Sequence, residues 1–238
     1  MIYEKTREGI FLSRPNRFIA QVMLDGKEET VHVKNTGRCA ELLLPGRRVV
    51  LAQGENSNRK TRYDLIAVDK PGLGWVNLDS QAPNRVVLEW LKRNPEITLC
   101  RPEYPFGASR MDFYLEIQER RILMEVKGCT LEIDGMGYFP DAPTERGVKH
   151  LYALMEAKRQ GMEAWLAFVI AMSGIRQVLP NVQTHPQFGQ ALEEAKAAGV
   201  QIMYFPCRVT ENSLEITDCI IDSPQDVTRG RFSCHKMR

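Results

Sequence analysis

The chain has 238 residues, 43% apolar and 26% charged, which suits a folded protein of one large or two small domains and excludes a low-complexity or disordered chain. Its longest apolar run, 164–172, is far short of the roughly 20 residues that cross a bilayer, and the opening MIYEKTREG lacks the layout of a secretion signal, so a cytoplasmic protein with no membrane partner is expected. Net charge is +2; residues 1–80 carry 13 basic against 10 acidic side chains, and the last ten residues, RGRFSCHKMR, contain no acid. Six cysteines are scattered without a C-x-x-C pair, which favours buried thiols over zinc or disulfides.

The first third reads as β. RFIAQVML alternates, placing Phe18, Ala20, Val22 and Leu24 on one face, and Asp25-Gly26 turns it into TVHVK as a hairpin. Further strands are expected at 46–53, 61–68 and 74–77, with a short helix in CAELLL stopped by Pro45 and Gly46. Five or so strands and one small helix within about 80 residues suit an OB-fold-like barrel, although an SH3-like barrel or small sandwich would read the same way.

After Pro83 the pattern changes. NRVVLEWLKRN places Val87, Trp90 and Leu91 on one helical face behind Asn84 as a cap. A strand pair follows, MDFYLEI and ILMEVKG, joined by Gln118-Glu119-Arg120-Arg121. Then come a helix from Pro143, the apolar strand EAWLAFVIAM, a helix ending at Gly199 and the strand VQIMYF. This alternation indicates an α/β layer with a mixed central sheet. The expected division is residues 1–82 for a nucleic-acid-binding barrel and 83–238 for the α/β domain.

Period-2 alternation puts Asp112, Tyr114 and Glu116 opposite Met111, Phe113, Leu115 and Ile117, and puts Glu125 and Lys127 opposite Ile122, Met124 and Val126. Antiparallel pairing brings Asp112 towards Glu125, within reach of one shared ion. Carboxylates suit Mg²⁺ or Mn²⁺, and a lysine beside them can orient water or neutralise a phosphoryl oxygen; these are the parts of phosphodiester hydrolysis. The arrangement Asp112…Glu125-Val126-Lys127 resembles the PD-(D/E)xK nuclease motif, with Glu89 on the preceding helix. A hairpin showing its charges to solvent is the alternative.

In TERGVKHLYALM, Val148, Leu151, Tyr152 and Met155 form an apolar stripe. Arg146 and His150 lie one turn apart on another side, able to bind phosphate or shuttle a proton, or to be structural. Glu145 and Lys149 form either a surface ion pair or part of the site. Gly147 costs about 1 kcal/mol relative to alanine, which calls for compensation.

Taken in order, NRFIAQVMLDG, HVKNTGRCAELLLPG, RKTRYDL, GASRMDFYL, MEVKGCTL and GYFPDAPTERGVKHLYALM resemble the sugar fermentation stimulation protein A family to about residue 220. That resemblance implies an N-terminal OB fold, a C-terminal PD-(D/E)xK nuclease-like domain, DNA binding and a link to regulation of sugar (maltose) metabolism. It carries Asp112, Glu125 and Lys127 over as the nuclease-like triad, with Asp112 and Glu125 on the metal and Glu103, Glu145, Arg146 and His150 around them. Two departures stand out: Gly128-Cys129 after the lysine, where a serine or asparagine and a small aliphatic are usual, and the basic tail.

An OB barrel binds strands with a basic groove and stacked aromatics. Arg14, Arg17, Arg38 and Lys60 are the candidates in the barrel, with Lys34 and Arg62 beside them; Arg110 and Arg146 are candidates in the second domain. Phe18, on the alternating apolar face, reads as core. Residues 35–38 form either a phosphate-holding turn or an ordinary turn capped by Thr36. The leading expectation is a DNA-binding protein with a divalent-metal nuclease-like site. A non-catalytic DNA-binding regulator with the same geometry is the second, and a protein for a phosphorylated metabolite is the third, disfavoured by the lack of a glycine-rich phosphate loop.

Overall fold

The computed structural model describes residues 1–35, 37–54 and 59–222. The C-terminal basic tail, Cys234 and Thr36 lie outside the described residues. Six strands form the N-terminal sheet: β1 (Thr6–Asn16), β2 (Ile19–Leu24), β3 (Lys27–Val33), β4 (Arg48–Gln53), β5 (Tyr63–Lys70) and β6 (Gly74–Asn77). The order β3-β2-β1-β4-β5, closed by parallel pairing of β3 with β5, makes a five-stranded OB-like barrel, with β6 added beside β5.

The β2–β3 hairpin forms as its sequence requires. Asp25 and Gly26 both take positive φ, 50° and 76°, and Leu24 pairs with Lys27 across them. Ala20, Val22 and Leu24 are buried, but Phe18 is 49% exposed. It precedes the strand, where the backbone turns on Asn16 Oδ1, which accepts from the amides of Phe18 and Ile19 (2.9 and 3.1 Å), so strand alternation does not reach it. The expected helix in CAELLL is a single turn, with the amides of Leu42 and Leu43 both donating to Cys39 O. Six residues before Pro45 are too few to propagate a helix.

Strand β1 went unanticipated because Gly9 and Pro15 interrupt it. Gly9 is needed there: a Cβ would lie 2.6 Å from Val22 and 2.9 Å from Met23 O on the paired strand.

The second unit begins with α1 (Ala82–Lys92), followed by β7 (Ile97–Phe106), β8 (Ser109–Ile117), β9 (Arg120–Cys129), β10 (Leu131–Ile133), β11 (Met136–Phe139) and α2 (Glu145–Arg159). It ends with β12 (Glu163–Ile170), β13 (Val178–Pro180), α3 (Pro186–Ala197), β14 (Gln201–Val209), β15 (Leu214–Ile216) and β16 (Ile220–Asp222). The main sheet has the order β15-β14-β12-β9-β8-β7, with β16 also on β14, and a small sheet runs β10-β11-β13. Strands β9, β12 and β14 are parallel and the rest of the main sheet is antiparallel, so the sheet is mixed.

Helix α1 covers one face through Val86, Val87, Trp90 and Leu91, with Trp90 against Phe205 at 4.8 Å between ring centres. Helices α2 and α3 cover the other face through Leu151, Leu154, Phe188 and Leu192.

Three local readings change. The β8–β9 turn is Gln118-Glu119 alone, because Ile117 pairs with Arg120 and Gln118 takes φ 55°. Met111 packs with Tyr114 and Leu123 rather than with Phe113; on β7, Glu103 sits at φ 54° between the partners of Met111 and Phe113, which breaks the alternation. In α2 the buried face is Gly147, His150, Leu151, Leu154 and Ala157, while Tyr152 is exposed. A polar His150 therefore occupies a core position, and its partner explains why.

The two units share one hydrophobic cluster, from Phe11 and Val31 through Val76 and Leu78 to Leu166 and Phe168. Main-chain bonds join them as well. Asn77 N donates to Ala171 O (2.8 Å), Ala171 N donates to Cys129 O (2.9 Å), and the first residues run beside 212–214, with Tyr3 N on Asn212 O (2.7 Å).

Candidate nuclease-like site

The β8–β9 ladder runs from Ile117–Arg120 to Phe113–Met124. Asp112 and Glu125 are the next pair along. Here the side chain of Asp112 takes over from the backbone, its Oδ2 accepting from Val126 N at 2.8 Å. Its Oδ1 accepts from Asn84 Nδ2 at 2.6 Å. Asn84 is therefore not the cap of α1. The cap position is Gln81, and Asn84 lies within the first turn, aimed at the sheet.

Glu125 is 2% exposed. Its Oε1 is held by Lys127 Nζ and by His150 Nδ1, which reaches down from the buried face of α2. Arg146 Nε donates to His150 Nε2 at 3.3 Å. On its other side the ring turns Nδ1 to Glu125 Oε1, with Lys127 Nζ 3.3 Å from the same nitrogen. The other oxygen, Glu125 Oε2, is buried and accepts no hydrogen bond.

The two carboxylates differ electrostatically. Burial and the neighbouring charge of Glu125 push Asp112 up to about 6, against the hydrogen bonds from Val126 and Asn84 and the charge of Lys127. Burial also acts upward on Glu125, but His150 and Lys127 outweigh it and hold that carboxyl below its usual range.

Asp112, Glu125, Lys127 and His150 thus come together, with Arg146 behind the histidine. Glu103 and Arg110 do not join them; they pair with each other at 3.4 Å as exposed side chains of β7 and β8. Glu145 is exposed at the start of α2, its side chain 3.6 Å from His185, and Glu89 on α1 contacts Met1. Among the barrel cations, Arg14 spends its guanidinium on the carbonyls of Arg17, Asn35, Gly37 and Arg38. Arg17, Arg38 and Lys60 are exposed. Lys34, with Arg59 and His32, surrounds buried Asp64, and Arg62 lies over the ring of Tyr63.

Sequence reasoning missed Asn84 as the partner of Asp112. The signal was present, since a polar residue on the helix face that carries Val87 and Leu91 needs a buried partner.

Among the described residues no three of His, Cys, Asp and Glu are grouped as a metal site. The donor chemistry nevertheless fits a hard divalent cation. Mg²⁺ uses one or two carboxylates and fills its shell with water and substrate oxygens, and Glu125 Oε2 is a buried acceptor without a partner.

Comparison with known proteins decides the family. The family model described as sugar fermentation stimulation protein RE domain matches residues 81–213, and that of the SfsA N-terminal OB domain matches 12–78. A sugar fermentation stimulation protein homolog of Desulfitobacterium hafniense (strain Y51) is 53% identical over 222 residues, covering 92% of this chain and 97% of its own. One from Clostridium beijerinckii is 48% identical over 223 residues, covering 92% and 98%.

The chain belongs to the sugar fermentation stimulation protein (SfsA) family. A solved structure of Pyrococcus furiosus SfsA in complex with Ca²⁺ matches it with a TM-score of 0.80 at 26% identity, over 93% of this chain and 95% of that one. The SfsA fold, an OB barrel followed by a PD-(D/E)xK-like mixed-sheet domain, is therefore the fold of this chain. In this SfsA family member the glycine after the lysine also has a steric reason: a Cβ on Gly128 would lie 2.8 Å from Cγ of Pro83, at the start of α1.

Proposed function

We propose that this protein binds DNA and hydrolyses its phosphodiester bonds at Asp112, Glu125 and Lys127 with a divalent metal ion. The observation that carries the reading is the buried, unpartnered Glu125 Oε2 near Asp112, whose carboxyl is raised by burial first and then by the charge of Glu125. Both carboxylates would be stabilised in their charged forms by a dication, and Glu125 Oε2 is the acceptor that would hold it. Ca²⁺ in the Pyrococcus furiosus SfsA structure supports cation affinity for the fold.

Asp112 and Glu125 would hold Mg²⁺ or Mn²⁺, which when bound supplies positive charge and a more acidic water. The chain does the remaining work. Asn84 and Val126 N orient Asp112, and His150 fixes Glu125 through its Nδ1 while Arg146 fixes the ring. Lys127 is a charged donor for a phosphate oxygen as negative charge builds there. Hydrolysis adds water across the P–O bond and leaves a phosphomonoester and a free hydroxyl. Arg17, Arg38, Lys60, Arg110 and Arg146 are the proposed phosphate contacts, and Glu103 and Glu145 lie outside the reacting group.

One observation favours a second reading, a DNA-binding regulator that keeps the geometry without cutting: Glu125 Oε1 is already taken by Lys127 and His150. The experiment separates the two. Purified protein with Mg²⁺ or Mn²⁺ is incubated with labelled single- and double-stranded DNA and RNA beside Asp112→Ala and Lys127→Ala, and Mn²⁺ binding is followed by calorimetry. Cleavage is expected to fall by about 100-fold or more in each variant, with Mn²⁺ binding lost in Asp112→Ala. Binding without cleavage on every substrate would leave the regulator.

A further inference from the structure

The barrel and the α/β unit enclose a cleft of about 430 Å³ whose walls include Arg17, Ser80, Gly128, Thr130, Tyr138 and Thr144. It is equivalent to a sphere roughly 9 Å across, smaller than a duplex, whose major groove alone is about 12 Å wide. It is of the size that holds one nucleotide-sized ligand. It also begins one residue from Lys127, because Gly128 forms part of its wall.

Its rim and floor differ chemically. At the rim Arg17 lies over the ring of Phe18, 5.2 Å from its centre, and Phe18 is 49% exposed on a turn held by Asn16. An exposed ring under a guanidinium is a stacking platform with a phosphate contact beside it. Deeper in, the cleft is lined by Asp79 and Asp141, whose carboxylates accept from the amides of Gln81 and Cys39 (3.0 and 2.7 Å). Among the described residues the hydroxyls of Thr130 and Tyr138 have no hydrogen-bond partner. Carboxylates repel phosphate but accept from the amino groups of bases, so the base belongs inside and the backbone at the rim.

From this we infer that the substrate is single-stranded nucleic acid, with one unstacked base in the interdomain cleft, the preceding base on Phe18 and the following phosphate delivered to Lys127. This assignment of strand state rests on the reading of Asp112, Glu125 and Lys127 as a hydrolytic site, but its test does not.

The test measures fluorescence anisotropy of a labelled oligothymidylate, a mixed-sequence single strand and the matching duplex. The protein is Lys127→Ala, beside the wild type in chelator, each also carrying Phe18→Ala, Phe18→Trp or Tyr138→Phe. Single strands are expected to bind at least about tenfold more tightly than the duplex. Phe18→Ala is expected to weaken them about tenfold, and Phe18→Trp to restore binding. Oligothymidylate, which has no exocyclic amino groups to reach Asp79 and Asp141, is expected to bind more weakly than the mixed sequence, and Tyr138→Phe to weaken both. Equal affinity for duplex, or single-strand affinity unchanged in Phe18→Ala, would overturn the inference. If single strands bind as expected and the wild type with Mg²⁺ or Mn²⁺ cuts nothing, the cleft assignment stands and hydrolysis fails. If duplex is cut and bound without regard to Phe18, hydrolysis stands and the cleft assignment fails.

Discussion

Asp112 depends on two donors, and only one of them is a side chain. Replacing that one, Asn84→Ala, leaves Oδ1 in a buried setting without its bond, a cost of about 1–3 kcal/mol. Single-turnover cleavage is expected to fall by about tenfold or more while far-ultraviolet circular dichroism stays unchanged. A second residue-scale outcome concerns Asp64, buried in the barrel. Burial raises its carboxyl, but Arg59, Lys34 and His32 outweigh this and hold it at about 2, below the ordinary 3.8. A depressed folded value stabilises above pH 4 and is lost as pH falls through about 2, worth about 2 kcal/mol. Asp64→Asn is therefore expected to flatten the acid limb of a plot of stability against pH, measured by urea unfolding between pH 2 and 6. At this scale Asp112, Glu125 and Lys127 were legible because alternation fixes the face of a strand residue, and His150 was named as a site residue, although not its buried place against Glu125. Asn84 was read as a cap, because a polar residue at the start of a helix reads as a cap until the buried carboxylate it meets is known.

The elements that carry the site are fixed by small contacts at their ends. Thr144 caps α2 by accepting from Gly147 N at 3.0 Å. A Cβ at Gly147 would meet Thr144 at 2.8 Å and Phe188 at 3.4 Å, so the glycine that weakens the helix permits both the cap and the approach of α3. Thr144→Ala is expected to lower stability by about 1 kcal/mol, read from the urea midpoint, and to loosen the helix that presents His150. Gly128→Ala should act on α1 instead: its methyl meets the rigid ring of Pro83, one residue before Asn84. Strands β2 to β5, the three helices and strands β8, β9, β12 and β14 were legible from periodicity, and β6 from its place after the Pro71-Gly72 turn. Strand β7 was not, since Pro102 and Pro105 disguise it, and prolines are tolerated there because β7 is an edge. The short β10, β11, β13, β15 and β16 are three or four residues each, too brief to show a period.

Across the whole molecule, one core cluster spans barrel and α/β unit. A shared core unfolds as one. Denaturation followed by the fluorescence of Trp75, with Trp90 and Trp165 replaced by phenylalanine, is therefore expected to coincide with far-ultraviolet circular dichroism of the same protein; two separated midpoints would show independent units. The main-chain relay from Asn77 through Ala171 to Cys129 has a mechanical consequence. Cys129 is two residues from Lys127 on the same strand, so the barrel is a fixed wall of the cleft and not a jaw. A nucleic acid strand would have to fit a cleft already set, so a fully paired duplex would have to be melted locally before a base could enter.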